Sequence, residues 1–183
     1  TAVGAYSYSS SLDGMRNTAL GKSALHAGNC ANDNTGVGYN ALYAYTGSSA
    51  TAVGAYAADA ATSATMLTAI GKSALGACID GAGNTAVGEL AGATLTTGDY
   101  NTALGALALD AATVDAGHNT AIGYGSLSAA CVNNNTAVGK SSLAVFTGSN
   151  ATAIGSSAAD AATSAGYLTA IGKSALGVLT DGT

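Results

Sequence analysis

Apolar and polar positions alternate with period 2 in one short phrase, Thr-Ala-aliphatic-Gly, that recurs along the chain. Copies start at Thr1, Thr18, Thr35, Thr51, Thr68, Thr85, Thr102, Thr120, Thr136, Thr152 and Thr169, at steps of 16 to 18 residues. Thr and Gly hold in all eleven copies, the aliphatic position is always Val, Leu or Ile, and the Ala position changes once, to Gly36. Six residues after each Thr stands Ala or Ser. Seven after it, Leu appears in seven copies (Leu25, Leu42, Leu75, Leu109, Leu127, Leu143 and Leu176). Period 2 predicts a short strand with Thr and the aliphatic residue on one face and Ala on the other. The Ser-Ala-Leu segment predicts a second short strand, with Gly, Asn, Asp and Ser turning the chain between the two. Asn precedes Thr in six copies, for example at Asn17, Asn84 and Asn119.

A unit near 17 residues is too short for helix pairs and implies a solenoid. Coils stacked in register as parallel strands, about 4.8 Å apart, would make a rod of roughly 50 Å. Each copy is then the template for the next, because a single coil cannot bury its own apolar residue. The expected fold is an all-β parallel β-solenoid or β-roll of about eleven coils, homotrimeric, in one repeat domain over residues 1–183. The branched aliphatic residues are expected inside with Thr, and a stripe of Ala outside. A small apolar stripe of that kind invites another chain, and open strand edges at the ends need neighbours. "DAAT" at 59–62, 110–113 and 160–163 marks a longer block of three units, and "TGSSAT" at 46–51 returns as "TGSNAT" at 147–152. Blocks of three units have been duplicated.

Composition narrows the function classes. Charged residues make up 8% of the chain, which has 26 Gly, no Pro and no Trp. An ordinary soluble domain carries about 25% charged residues. A net charge of -5 with only 5 Lys and Arg disfavours nucleic acid, whose binders cluster basic residues. No apolar run is long enough to span a membrane as a helix. The chain opens inside its own motif and ends at "TDGT", so it is read as a segment of a longer fibrous protein.

The phrase "NTAxGxxAL" at this spacing resembles the head repeats of trimeric autotransporter adhesins and the related repeats of bacteriophage tail fibres. The resemblance covers Thr1 to about Leu179. It implies a left-handed parallel β-roll, assembly as a homotrimer, and a place on a virion (as tail fibre) or at the cell surface. The adhesin unit is usually nearer 14 residues, so the turns here are longer.

Candidate chemistry is sparse. Cys30, Cys78 and Cys131 fall in the second unit of their blocks, three coils apart, which is about 14 Å at the strand spacing. A disulfide needs Cα atoms within about 7 Å, so they are expected to be small buried apolar residues. The next block carries Leu179 at the corresponding place. His26 and His118 sit in different turns without a repeated carboxylate or Cys partner and are expected to be solvated. So are Asp59, Asp110 and Asp160, and Lys22, Lys72 and Lys173, each spaced once per block. Tyr39, Tyr43, Tyr45 and Tyr124 lie near turns with Phe146, where they pack or meet sugars and interfaces. No catalytic, cofactor-binding or metal-ligating residue is assigned, and no enzyme activity is expected.

These features point to a structural or adhesive fibre segment that presents a receptor-binding tip or surface. Its partners would be further copies of itself, and a host-cell receptor or glycan engaged through regions outside the segment. The main alternative is a self-assembling extracellular filament or sheath subunit. Two remote alternatives remain. "IGKSAL" at 70–75 fits one hexad of the left-handed β-helix acyltransferases, which have three per coil. Thr ladders on flat solenoids bind ice, but period 2 would then turn Val3, Leu20 and Ile70 outward and leave only Ala inside.

Overall fold

The structure is a computed structural model that describes residues 1–10, 14–26, 29–113, 115–164 and 166–177. It is all-β, without helix among the described residues. The strands are β1 (Ala2–Val3), β2 (Thr18–Leu20), β3 (Thr35–Val37), β4 (Thr51–Val53), β5 (Thr68–Ile70), β6 (Thr85–Val87), β7 (Thr102–Leu104), β8 (Thr120–Ile122), β9 (Thr136–Val138), β10 (Thr152–Ile154) and β11 (Thr169–Ile171). They form one parallel sheet of 11 strands in sequence order. The register follows the repeat: Thr faces Thr, Ala faces Ala and aliphatic faces aliphatic, as in Thr85↔Thr102, Ala86↔Ala103 and Val87↔Leu104. Successive strands are joined by one coil each, which gives a β-solenoid of about ten turns.

The expected facing is reversed. Along β2 and β4 the middle residue is buried and its two neighbours are exposed. Ala19, Ala52, Ala69, Ala86, Ala103, Ala121, Ala137 and Ala153 line the interior, each 0–1% exposed. Thr and the branched residues point to solvent. The Leu seven residues after Thr explains this. Leu25, Leu42, Leu75, Leu109, Leu127 and Leu143 are fully buried, and they approach the strand from across the coil. A Cβ added at Gly36 would lie 3.3 Å from the Leu25 side chain. With Leu filling one wall, the opposite wall accepts only Ala or Gly, because interiors pack to crystal-like density. Where Gly92 stands in the Leu position, Leu95 fills the gap: a Cβ at Gly92 would meet Leu95 at 3.3 Å and Leu75 at 2.9 Å. Where Ala58 and Ala159 stand there, the preceding coil carries buried Tyr45 and Phe146.

The second expected strand is also absent. The Ser-Ala-Leu segment is a turn, with left-handed φ five and seven residues after Thr, as at Ser73 (54°) and Leu75 (50°), and at Ser141 (54°) and Leu143 (52°). Alternating left- and right-handed residues wind the chain tightly without losing bonds between coils. The Leu75 amide donates to the Ala91 carbonyl at 3.0 Å, and the Ser73 amide to the Ala55 carbonyl at 3.0 Å. A third left-handed corner falls two residues before each strand, from Arg16 (59°) to Tyr167 (59°). Left-handed backbone costs a non-glycine residue roughly 1–2 kcal/mol. It persists where corner amides are held by neighbouring coils, as at Ser73, Leu75 and Tyr100.

Candidate functional site: the outward face and the corners

The outward face of the sheet is the most regular surface of the molecule. It carries two columns, Thr and Val, Leu or Ile, with no charged residue on any strand. Leu20, Val53, Ile70, Leu104, Ile154 and Ile171 are exposed, Leu104 at 46%. The Thr hydroxyls lie on the same side, since residues two apart share a face. Single exposed apolar residues need no explanation, but a contiguous apolar patch of several hundred Å² does. Eleven rungs of methyl groups in register form such a patch.

Two further columns flank this face. One is the Asn that stands directly before six of the strands. Asn17, Asn34, Asn84, Asn101, Asn119 and Asn135 are all buried. Each joins coils in two directions. Asn101 Oδ1 accepts from the Asn119 amide of the next coil at 3.0 Å, and Asn101 Nδ2 donates to the Ala116 carbonyl at 2.8 Å, closing its own coil. Asn84 repeats this with Asn101 and Gly98, at 2.8 and 2.7 Å. The other column is the Gly after each strand. From Gly4 to Gly172 its φ lies between 122° and 137°, outside the range that L residues adopt.

Cys30, Cys78 and Cys131 are buried and not disulfide-bonded, so they line the core. Burial pushes the thiols of Cys30 and Cys78 up to about 11 and that of Cys131 to about 12. Two outcomes follow. Iodoacetamide at about pH 8 should leave all three native thiols unmodified and alkylate them in denaturant, because the thiolate is the reacting species. The folded values lie above the ordinary 9.0. These thiols therefore contribute stability in full below about pH 9 and lose that contribution as pH rises through 11–12. Thermal melts should show the midpoint falling over that range, and replacing Cys131 by Ala should flatten the fall. Burial also raises the Tyr45 hydroxyl in the same direction, with Cys30 and Cys78 nearby.

Other side chains depart from the solvated picture. Asp59 and Asp110 are half-buried, and burial raises both carboxyls above their usual range. Asp110 Oδ1 is buried without a hydrogen-bond partner. Asp160 holds the same place one block on. His26 is also half-buried, with Nδ1 3.0 Å from the Tyr6 carbonyl and 2.6 Å from Ser9 Oγ. His118 is exposed and lies against Tyr100, centroids 5.5 Å apart. Lys22 and Lys173 are exposed, and Lys72 pairs with Glu89 at the surface, 3.4 Å away. Such pairs contribute little. Tyr45 and Phe146 are fully buried, whereas Tyr39 and Tyr124 are exposed and Tyr43 is half-buried. Leu179 lies outside the described residues. Among the described residues no three His, Cys, Asp or Glu side chains converge to hold a metal, and no helix is long and apolar enough to cross a membrane.

The chain matches no family model, no curated protein and no solved structure. Its surfaces therefore carry the functional argument alone.

Proposed function

We propose that this chain is a structural or adhesive fibre segment of a virion or cell surface, built from copies of itself packed through the Thr and aliphatic face. One observation supports the reading: an uncharged sheet face, two columns wide and roughly 50 Å long at the parallel-strand spacing, is left open to solvent. Burying it removes aliphatic groups from water at about 25 cal/mol per Å². It also buries no unpaired backbone, since the strands are already paired along the axis. Three such faces meeting about a common axis give a closed homotrimer with the longest available contact. Its presentation of a receptor-binding surface then falls to the corners and the ends. An extracellular filament or sheath would use the same face in an open arrangement. One strand per coil lends no support to a hexapeptide acyltransferase.

A second reading is favoured by the outward threonines. An outward Thr and aliphatic face leaves only Ala on the inner side of the strand, and Ala, backed by the Leu column, is what the interior holds. A Thr and methyl array repeating about every 4.8 Å is a surface on which ordered water could freeze in register. The two readings separate in one pair of measurements. A fibre element should sediment at three times the 17.3 kDa chain mass, and Val87→Lys with Leu104→Lys should release monomers with an unchanged far-ultraviolet spectrum. A monomer that shows thermal hysteresis would overturn the fibre reading in favour of ice. A monomer without hysteresis, or an oligomer indifferent to both lysines, would overturn the use of this face.

A further inference from the structure

We propose that the edge of coils one to four is a binding platform for a neutral oligosaccharide, which gives a ligand class to the corner surface that the fibre reading leaves open and lies apart from the sheet face. On this edge stand Tyr6, Lys22, His26, Tyr39, Tyr43 and Tyr56. Their rings form short runs across coils. Tyr6 lies 5.9 Å from His26, and His26 lies 5.3 Å from Tyr43. Tyr39 meets Tyr56 edge to face at 5.1 Å, with Lys22 Nζ 5.8 Å from the Tyr39 centroid. Tyr6 is 65% exposed, and Tyr39 and Tyr56 about 40%.

The fold does not require these aromatics, and the internal duplication shows it. Tyr39, Tyr43 and Tyr56 correspond, 101 residues on, to Lys140, Ala144 and Ser157. The backbone is the same in both copies: φ is 58° at Tyr56 and 55° at Ser157. The buried aromatic position, by contrast, is aromatic in both copies, as Tyr45 and Phe146. Holding a ring-bearing residue at positive φ is uncommon and costly. Gly125 takes the same place in its coil as Tyr56 does, at φ 57°. Tyr6 and Tyr56 therefore hold rings at a place that the fold fills equally with Gly125, Leu107 or Ser157.

The chemistry of the patch selects the ligand. Tyrosine offers a flat apolar face and a hydroxyl with little side-chain entropy to lose. Those rings suit the C–H faces of pyranoses. Around them Lys22 and Asn40 supply donors and Asp59 an acceptor, for sugar hydroxyls. The patch carries charges of both signs, which favours a neutral chain over a polyanion. It is a shallow surface spread over four coils. An oligosaccharide lying along the rod engages several rings at once, whereas a monosaccharide would touch one.

The test is a titration of the full chain with cellohexaose, chitohexaose and mannohexaose, followed by saturation-transfer nuclear magnetic resonance and calorimetry. At least one hexaose should bind saturably. Tyr39→Lys, Tyr43→Ala and Tyr56→Ser together install the side chains of the later copy on an unchanged backbone, and should weaken binding at least tenfold. Tyr56→Ser alone should weaken it severalfold, and it decides the matter if the triple variant fails to fold. Tyr124→Ala, farther along the same edge, should leave binding intact. Saturation by none of the three hexaoses overturns the proposal, as does undiminished binding by the folded triple variant or by Tyr56→Ser.

Discussion

Gly88→Ala should lower the unfolding free energy by roughly 3–5 kcal/mol, among the largest losses open to a single substitution here. Gly88 has a φ of 136°, and a Cβ built there would lie 2.5 Å from the carbonyl carbon of Gly105 in the next coil and 2.6 Å from its oxygen. No rotamer relieves a clash between a Cβ and backbone. The neighbouring coil would have to move away, and its strand bonds with it. The control is Gly125→Ala. Its φ of 57° is one that Ser and Leu already adopt at the same place in other coils, and nothing lies within 4 Å of its added Cβ. That change should alter stability by less than about 1 kcal/mol. Urea unfolding of the two variants checks both statements. Equal losses would mean that the stacked glycines are not in contact.

Asn101→Ala should cost about 2–4 kcal/mol through a different mechanism. Truncation removes an acceptor for the Asn119 amide and a donor to the Ala116 carbonyl, both buried. Each orphaned buried group carries a desolvation penalty of about 1–3 kcal/mol. The pair is doubly placed, because one bond closes the coil and the other fixes its distance to the next. Amide hydrogen exchange should therefore speed up at Asn119 and around Ala116 before it changes at distant coils. A uniform acceleration along the whole rod would instead mean that the chain unfolds only as one unit.

Much of this architecture was legible from spacing alone. The repeat placed every observed strand, since each Thr-Ala-aliphatic phrase alternates with period 2, and the unit length forced neighbouring copies together. The facing was not legible. Period 2 defines two sides without saying which is inside, and hydrophobicity alone favours Val over Ala as the buried residue. The deciding fact was the width left by Leu75 and its equivalents, which depends on how the turn directs them. That turn was itself misread as strand, because Ser-Ala-Leu has no Gly, Asn or Asp to advertise its left-handed residues. The Asn column was visible as a recurrence, but its two-way bonding needs the coil to be closed before it can be seen. The exposed aromatics of the earlier block stood out only against their later counterparts, once Tyr45 and Phe146 proved to be internal and Tyr39 and Tyr56 external.

In-register stacking has one more consequence, for length. Every joint between coils uses the same Thr, Gly and, in most cases, Asn partners, so a whole coil inserted anywhere would meet familiar surfaces above and below. Such an insertion would lengthen the rod by about 4.8 Å and leave its cross-section alone, whereas a fragment of a coil would spoil the register. Growth by copying whole coils works as a calibrated ruler, in which reach can be adjusted in fixed increments while each existing joint is preserved.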